Sequence, residues 1–167
     1  RHSVLRRAYE SGLVVITPHP AAHARWADKR LLAWLGDDEL LQQAGLHVDD
    51  RSHLRQTIPA TEVVEPAAAD DLWQRRKNLF FKPVDGFGSK AAYRGDKLTR
   101  TTFEHILAHR YVAQALAPTS FRRIQSADGV EADLRVDVRN YAMHGATWLR
   151  AARLYRGQTT NFRTVGG

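Results

Sequence analysis

The chain has 167 residues, 43% of them hydrophobic and 26% charged, with no cysteine and a net charge of +7. Its size suits one compact domain or two small lobes, and its composition suits a folded chain rather than a disordered one. The absence of cysteine excludes disulfides, cysteine-based zinc sites and thiol nucleophiles, and it fits a reducing cytoplasm.

No apolar run approaches the roughly 20 residues that span a bilayer, so no membrane role is expected. Arg1 to Glu10 is too charged for a signal peptide. A chain that lacks an initiator methionine and ends on Gly166-Gly167 reads as a piece of a longer protein. The charge is uneven: residues 1 to 70 hold 8 Lys/Arg against 10 Asp/Glu, and residues 71 to 167 hold 17 against 8. The basic second part suits a polyanion, whether nucleic acid, nucleotide phosphates or anionic lipid.

In chain order, residues 3 to 10 read as a helix closed by Gly12. Leu13 to Ile16 is a short β-rich run ending at Pro18. Residues 21 to 35 read as a helix interrupted by Gly36, and Trp26 and Trp34 on it read as core. Asp37 caps a second short helix that Gly45 ends. Residues 46 to 56 are polar and read as irregular. Ile58 to Val64 is a strand that Pro59 places at an edge. A helix over Ala67 to Lys77 follows Pro66. Strands are expected over Leu79 to Val84 and Lys90 to Arg94, joined by a loop over Asp85 to Ser89. Thr101 with Glu104 forms a capping box for a helix through His109. Tyr111 to Leu116 reads as a buried strand.

Leu134 to Tyr141 alternates apolar and charged residues, and Thr147 to Tyr155 returns beyond a tight turn at His144-Gly145. Segregated helices and mostly antiparallel strands make the fold class α+β.

The chemistry concentrates in Lys82-Pro83-Val84-Asp85-Gly86-Phe87-Gly88-Ser89-Lys90. Gly86 and Gly88 let the backbone turn sharply and approach a ligand closely. Such a turn aims N–H groups at an anion, Ser89 adds a hydroxyl donor, and Lys82 and Lys90 add charge. A lysine on an apolar strand is costly unless an anion is near. The pattern is neither the P-loop nor the dinucleotide fingerprint, because a strand rather than a helix follows. The bland alternative is a plain hairpin with a glycine turn. Tyr111 to Leu116 could offer backbone N–H and C=O groups to an adenine edge, or could simply be a core strand. The eight histidines read as surface or loop residues. Ser89 lacks the Gly-x-Ser-x-Gly setting of a nucleophile.

The Lys-Pro-x-x-Gly-x-Gly-Ser-Lys run, then Tyr111-Val-Ala-Gln-Ala-Leu116, then Arg153-Leu-Tyr-x-Gly-Gln-Thr-Thr-Asn-Phe-Arg-Thr-x-Gly-Gly167, resembles the ATP-grasp superfamily. More narrowly, it resembles the circularly permuted branch that includes glutathionylspermidine-synthase-like proteins. The resemblance covers about residues 13 to 167. It implies two small lobes with antiparallel sheets around ATP: residues 1 to 20 as the edge of a preceding domain, 21 to 110 as the first lobe, and 111 to 167 as an adenine-hinge strand with a second-lobe hairpin.

It further implies that Lys29 and Lys82 hold phosphates, that Gly86, Phe87, Gly88 and Ser89 form the loop over them, and that Gln114, Ala115 and Leu116 form the hinge. Arg135 and Arg153 would lie near the triphosphate and the acyl-phosphate site, with Asn161 beside the γ-phosphate. The implied activity is an ATP-dependent carboxylate–amine ligase acting on small molecules with Mg2+. The Glu-x-Asn pair that holds magnesium in such enzymes is absent, so the metal ligands are expected upstream. A nucleic-acid-binding module or an inactive nucleotide-binding protein of the same fold remains the alternative.

The register of the last hairpin bears on this assignment. A simple two-residue turn would pair Arg139 with Arg150 and Val136 with Arg153, placing Arg135 and Arg153 on opposite faces. A longer turn, a bulge, or an arginine that does not touch ATP would each resolve this.

Overall fold

The computed structural model describes residues 2–86, 88, 90–125, 129 and 131–157. The chain divides into two compact units, Arg1–Leu116 and Ala117–Gly167. Each has its own antiparallel sheet, so the α+β class holds. The boundary expected at residue 110 falls instead after Leu116, because the strand over Tyr111–Ala115 is central in the first sheet.

The first unit opens with α1 (Ser3–Glu10), which Gly12 ends at φ +70°. No strand forms over Leu13 to Ile16: the run has β propensity but no partner, and Val15 is 95% exposed. The single helix expected over 21 to 35 is two, α2 (Pro20–Trp26) and α3 (Arg30–Trp34). Asp28 breaks it by accepting the Arg30 N–H at 2.9 Å, a local bond that competes with the helical pattern. Trp26 and Trp34 are exposed rather than core.

Asp37 caps α4 (Asp38–Gln43) through the Leu40 N–H, as expected. The polar stretch expected to be irregular is α5 (Val48–Thr57). It has no apolar stripe to announce it. His47 caps it, Asp49 and Asp50 suit its N-terminal dipole, and Arg51 and Arg55 both reach Asp38 of α4.

Then follow β1 (Thr61–Val63), a 3-10 turn into α6 (Ala69–Arg75), β2 (Leu79–Pro83), β3 (Tyr93–Arg94), α7 (Arg100–Leu107) and β4 (Tyr111–Ala115). The sheet order is β1-β4-β2-β3, with β1 at the edge that Pro59 implied. Thr99, not Thr101, caps α7 by accepting the Thr102 N–H at 3.2 Å.

One face of this sheet carries Leu79, Phe81, Tyr111 and Ala113, which pack with Leu72 of α6 and Phe103 and Ile106 of α7. Phe81 meets Phe103 edge-on at 5.9 Å, and both are buried. Burial of each such side chain stabilises the fold by about 1.5–3 kcal/mol. The opposite face therefore presents the alternate residues: Phe80 and Lys82 of β2, Val112 and Gln114 of β4, Thr61 of β1 and Arg94 of β3.

The second unit is a three-stranded sheet of β5 (Ser120–Gln125), β6 (Glu131–Met143) and β7 (Ala146–Tyr155) in that order. The expected turn forms, with His144 and Gly145 at φ 50° and 76°. β5 was not anticipated: only Ile124 along it is even partly covered, so no alternation marks it.

Candidate functional site

Lys29 is placed by its neighbours. The Asp28 carboxylate accepts the Arg30 backbone N–H and both Nε and Nη2 of its guanidinium, at 2.6 to 3.1 Å. This bidentate grip holds the Asp28 carboxyl below the usual carboxylate range. It also bends the chain at Lys29, whose own N–H donates to the Val84 carbonyl at 3.0 Å, just past β2. The Lys29 ammonium then donates to the Gly86 carbonyl at 3.0 Å.

Lys82 stands on the polar face of β2, half-buried, and donates to Gln114 Oε1 at 2.6 Å. Burial lowers its pKa, and the charge of Lys29 lowers it further. The two lysines, far apart in sequence, thus converge closely enough to repel each other. Neither forms an ion pair among the described residues. Their partners are uncharged oxygens.

The glycine loop follows β2. Gly86 and Gly88 sit at φ +112° and +68°, which L side chains rarely adopt. Phe87 and Ser89 lie outside the described residues. Lys90 is exposed, and the strand expected from Lys90 begins only at Tyr93, since Ala91 turns at φ 52°. The far base of the loop is held by the Tyr111 hydroxyl, which donates to the Ala91 carbonyl at 3.0 Å.

Two of the three expected hinge N–H groups are engaged within the fold: Ala115 N–H donates to the Ala60 carbonyl at 2.7 Å, and Leu116 N–H to the Asn78 carbonyl at 2.9 Å. The cause is topological, because β4 has neighbours on both edges. Gln114 is 8% exposed, and its amide also donates to Thr61 Oγ1 at 2.8 Å.

In the second unit, a bulge resolves the register. The pairs run Met143↔Ala146 and Ala142↔Thr147, then shift to Tyr141↔Leu149, which leaves Trp148 as the extra residue. Arg153 consequently pairs with Asp137, and Arg135 with Tyr155, so Arg135 and Arg153 share a face. The shift also separates Arg139 from Arg150, which now face Ala151 and Asn140. Asp137 grips the Arg153 guanidinium at 2.5 and 2.9 Å and raises its pKa. Arg135 lies over the Phe121 ring at 5.5 Å. Asn161 lies outside the described residues.

Among the described residues no group of three or more His, Asp or Glu could hold a metal. Asp133 and Asp137 are both engaged by arginines, Arg123 and Arg153. Nor, among the described residues, is any helix long and apolar enough to cross a membrane.

Three features escaped sequence reasoning. Thr61 joins the Lys82 network only because β1 pairs with β4. Arg94 shares the polar face, and its buried Nε lies 3.2 Å from Asp96 Oδ1, an ion pair without hydrogen-bond alignment. Its signal was alternation from Phe80 across a strand pair. His105 near the end of α7 and His109 just past it are four residues apart, with ring centroids 4.0 Å apart and planes tilted by 33°.

No family description matches this sequence, and no curated protein matches it. Among solved structures, the chain is similar to the ATP-grasp ligase PsnB, complexed with minimal precursor, at 21% identity and a TM-score of 0.39. The match covers 90% of this chain and 45% of that one, so this chain spans less than half the length of that neighbour.

Proposed function

We propose that this chain supplies the ATP-binding part of an ATP-dependent carboxylate–amine ligase of the circularly permuted, glutathionylspermidine-synthase-like ATP-grasp type, working in the cytoplasm on small molecules. One observation carries the reading. Two lysines are brought together beside a glycine loop, one of them half-buried, and among the described residues neither is paired with a carboxylate. Such an arrangement is costly in the free protein and becomes favourable when a polyphosphate arrives.

In the reaction, a carboxylate attacks the γ-phosphate to give an acyl phosphate, and an amine then displaces phosphate to leave an amide. Lys29 and Lys82 would neutralise phosphate charge, and Gly86 to Ser89 would cover it. Gln114, Ala115 and Leu116 would wall the adenine with side chains rather than hydrogen-bond it through N–H groups. Arg135 and Arg153 would lie near the triphosphate and the acyl-phosphate site, and Asn161 would lie in the stretch that closes over the γ-phosphate. The protein's contribution is positioning and electrostatic stabilisation. Magnesium would be held chiefly by the nucleotide phosphates, with its protein carboxylates supplied from upstream of this segment.

Calorimetry of the intact protein with ATP and magnesium tests the reading. Saturable binding that Lys29→Ala and Lys82→Ala each weaken is the expected result. Absence of binding at saturating nucleotide overturns it. Salt-sensitive binding to short RNA in its place would favour a nucleic-acid module.

A further inference from the structure

We propose that Thr61 is a positioning residue that fixes the Lys82 ammonium through the Gln114 amide, an inference that rests on the reading of Lys82 as a phosphate-holding residue. Thr61 Oγ1 donates its only hydrogen to the Pro59 carbonyl at 2.8 Å. Its oxygen is left as an acceptor, so the Gln114 atom 2.8 Å away must be the NH2 group. The amide oxygen then points the other way, to Lys82 Nζ at 2.6 Å. The reverse amide orientation would set two acceptors against each other at Thr61 and two donors at Lys82. Gln114 is 8% exposed, too enclosed for solvent to relieve such clashes.

Thr61 is itself anchored. The Ala60 carbonyl accepts the Ala115 N–H at 2.7 Å, and Thr61 sits directly opposite Gln114 in the β1–β4 register. The hydroxyl at position 61 thus sets the amide, and the amide sets where the lysine charge stands, two strands away. Thr61 need not touch nucleotide.

Thr61→Val keeps the shape and removes the hydroxyl; Thr61→Ser keeps the hydroxyl. Two readouts separate this proposal from the function it rests on. In nucleotide-free protein, trace acylation with acetic anhydride measures the reactivity of each lysine by peptide mass spectrometry, with exposed Lys97 as internal reference. Thr61→Val should raise the Lys82 rate several-fold relative to Lys97, because a freed amide no longer stabilises the ammonium, and Thr61→Ser should restore it. With ATP and magnesium, calorimetry should show affinity roughly tenfold weaker in Thr61→Val, the loss of about one hydrogen bond, and recovery in Thr61→Ser.

An unchanged Lys82 rate in Thr61→Val overturns the inference, as does unchanged affinity in a protein that binds ATP. If the wild type binds no ATP, the ligase reading fails and the acylation arm alone decides the relay. Should Thr61→Val not fold, Thr61→Ala removes the same hydroxyl and is judged by the same two outcomes.

Discussion

Replacing Lys82 with methionine should leave the unliganded protein nearly as stable while removing most of its grip on nucleotide. In the free protein the substitution removes a half-buried charge that burial and Lys29 both disfavour. It also removes the Lys82–Gln114 bond and strands an amide oxygen, a cost of about 1–3 kcal/mol. The methionine stem fills similar volume, so the two effects largely offset, to within about 1 kcal/mol.

With nucleotide the balance is one-sided. A charge-assisted bond to phosphate is worth about 1.5–3 kcal/mol, so affinity should fall roughly ten- to a hundredfold. At nucleotide one hundred times the wild-type Kd, ligand stabilises the wild type by about 2.7 kcal/mol, and a variant weakened some thirtyfold by only about 0.9 kcal/mol. For a chain of this size those figures shift Tm by about 8 °C and about 3 °C. Thermal scans with and without ATP and magnesium read both. Equal shifts would refute the role of Lys82. A variant that unfolds several kcal/mol more easily without nucleotide would refute the claim that its charge is disfavoured in the free fold.

The pH dependence carries the opposite sign in the two states. The folded pKa of Lys82 lies below the ordinary 10.5, so the unfolded chain holds the proton more tightly in between. Relative to Lys82→Met, wild-type stability should therefore rise as pH climbs through the folded pKa toward 10.5, while nucleotide affinity falls over the same window.

Gly95→Ala should destabilise the first unit by about 3 kcal/mol or more, since the new Cβ would lie 1.9 Å from the Arg76 carbonyl oxygen, a backbone atom that cannot swing aside; denaturant titration measures it. Thr99→Ala should cost about 1 kcal/mol through the lost α7 cap, whereas Thr101→Ala should stay within about 0.5 kcal/mol, and the same titration separates them. Deleting Trp148 should remove the bulge yet leave the pairing beyond it intact, because the shortened β7 still sets Leu149 opposite Tyr141 and Arg153 opposite Asp137. Cross-strand NOEs between residues 137 and 153 should then persist, and their loss would refute Trp148 as the extra residue.

What could be read from the sequence was what local chemistry decides. The Asp37 cap, the Gly12 and Gly45 stops, the edge placement of β1 and the His144-Gly145 turn all follow from one or two residues. The loop glycines were legible for the same reason. Features that depend on a distant partner were not. α5 is held by arginines reaching Asp38, and its own pattern carries no apolar stripe. Leu13 to Ile16 has the right residues for a strand and nothing to pair with. The bulge at Trp148 is set by pairing across the hairpin, so its existence could be posed as one of three options but not chosen. Thr61 was invisible because a lone threonine signals nothing until β1 is laid against β4.

The contrast among the cations of this chain bears on function more directly than any motif. Arg30 is matched by Asp28, Arg75 by Glu62 and Asp71, Arg123 by Asp133, and Arg153 by Asp137. In each pair a neighbouring carboxylate cancels the guanidinium charge, and the more exposed of them are worth little to stability. Lys29 and Lys82 are treated differently. The folding chain brings them together, buries one by half, and provides a carbonyl and an amide where a carboxylate would have relieved both. A neutral acceptor holds an ammonium in place without cancelling its charge. A glutamate at position 114 would hold Lys82 more firmly, yet it would also compete with any anion the lysine is meant to meet. The amide thus keeps the lysine in position and leaves its charge for a ligand, which is the reason to look for that ligand among polyphosphates.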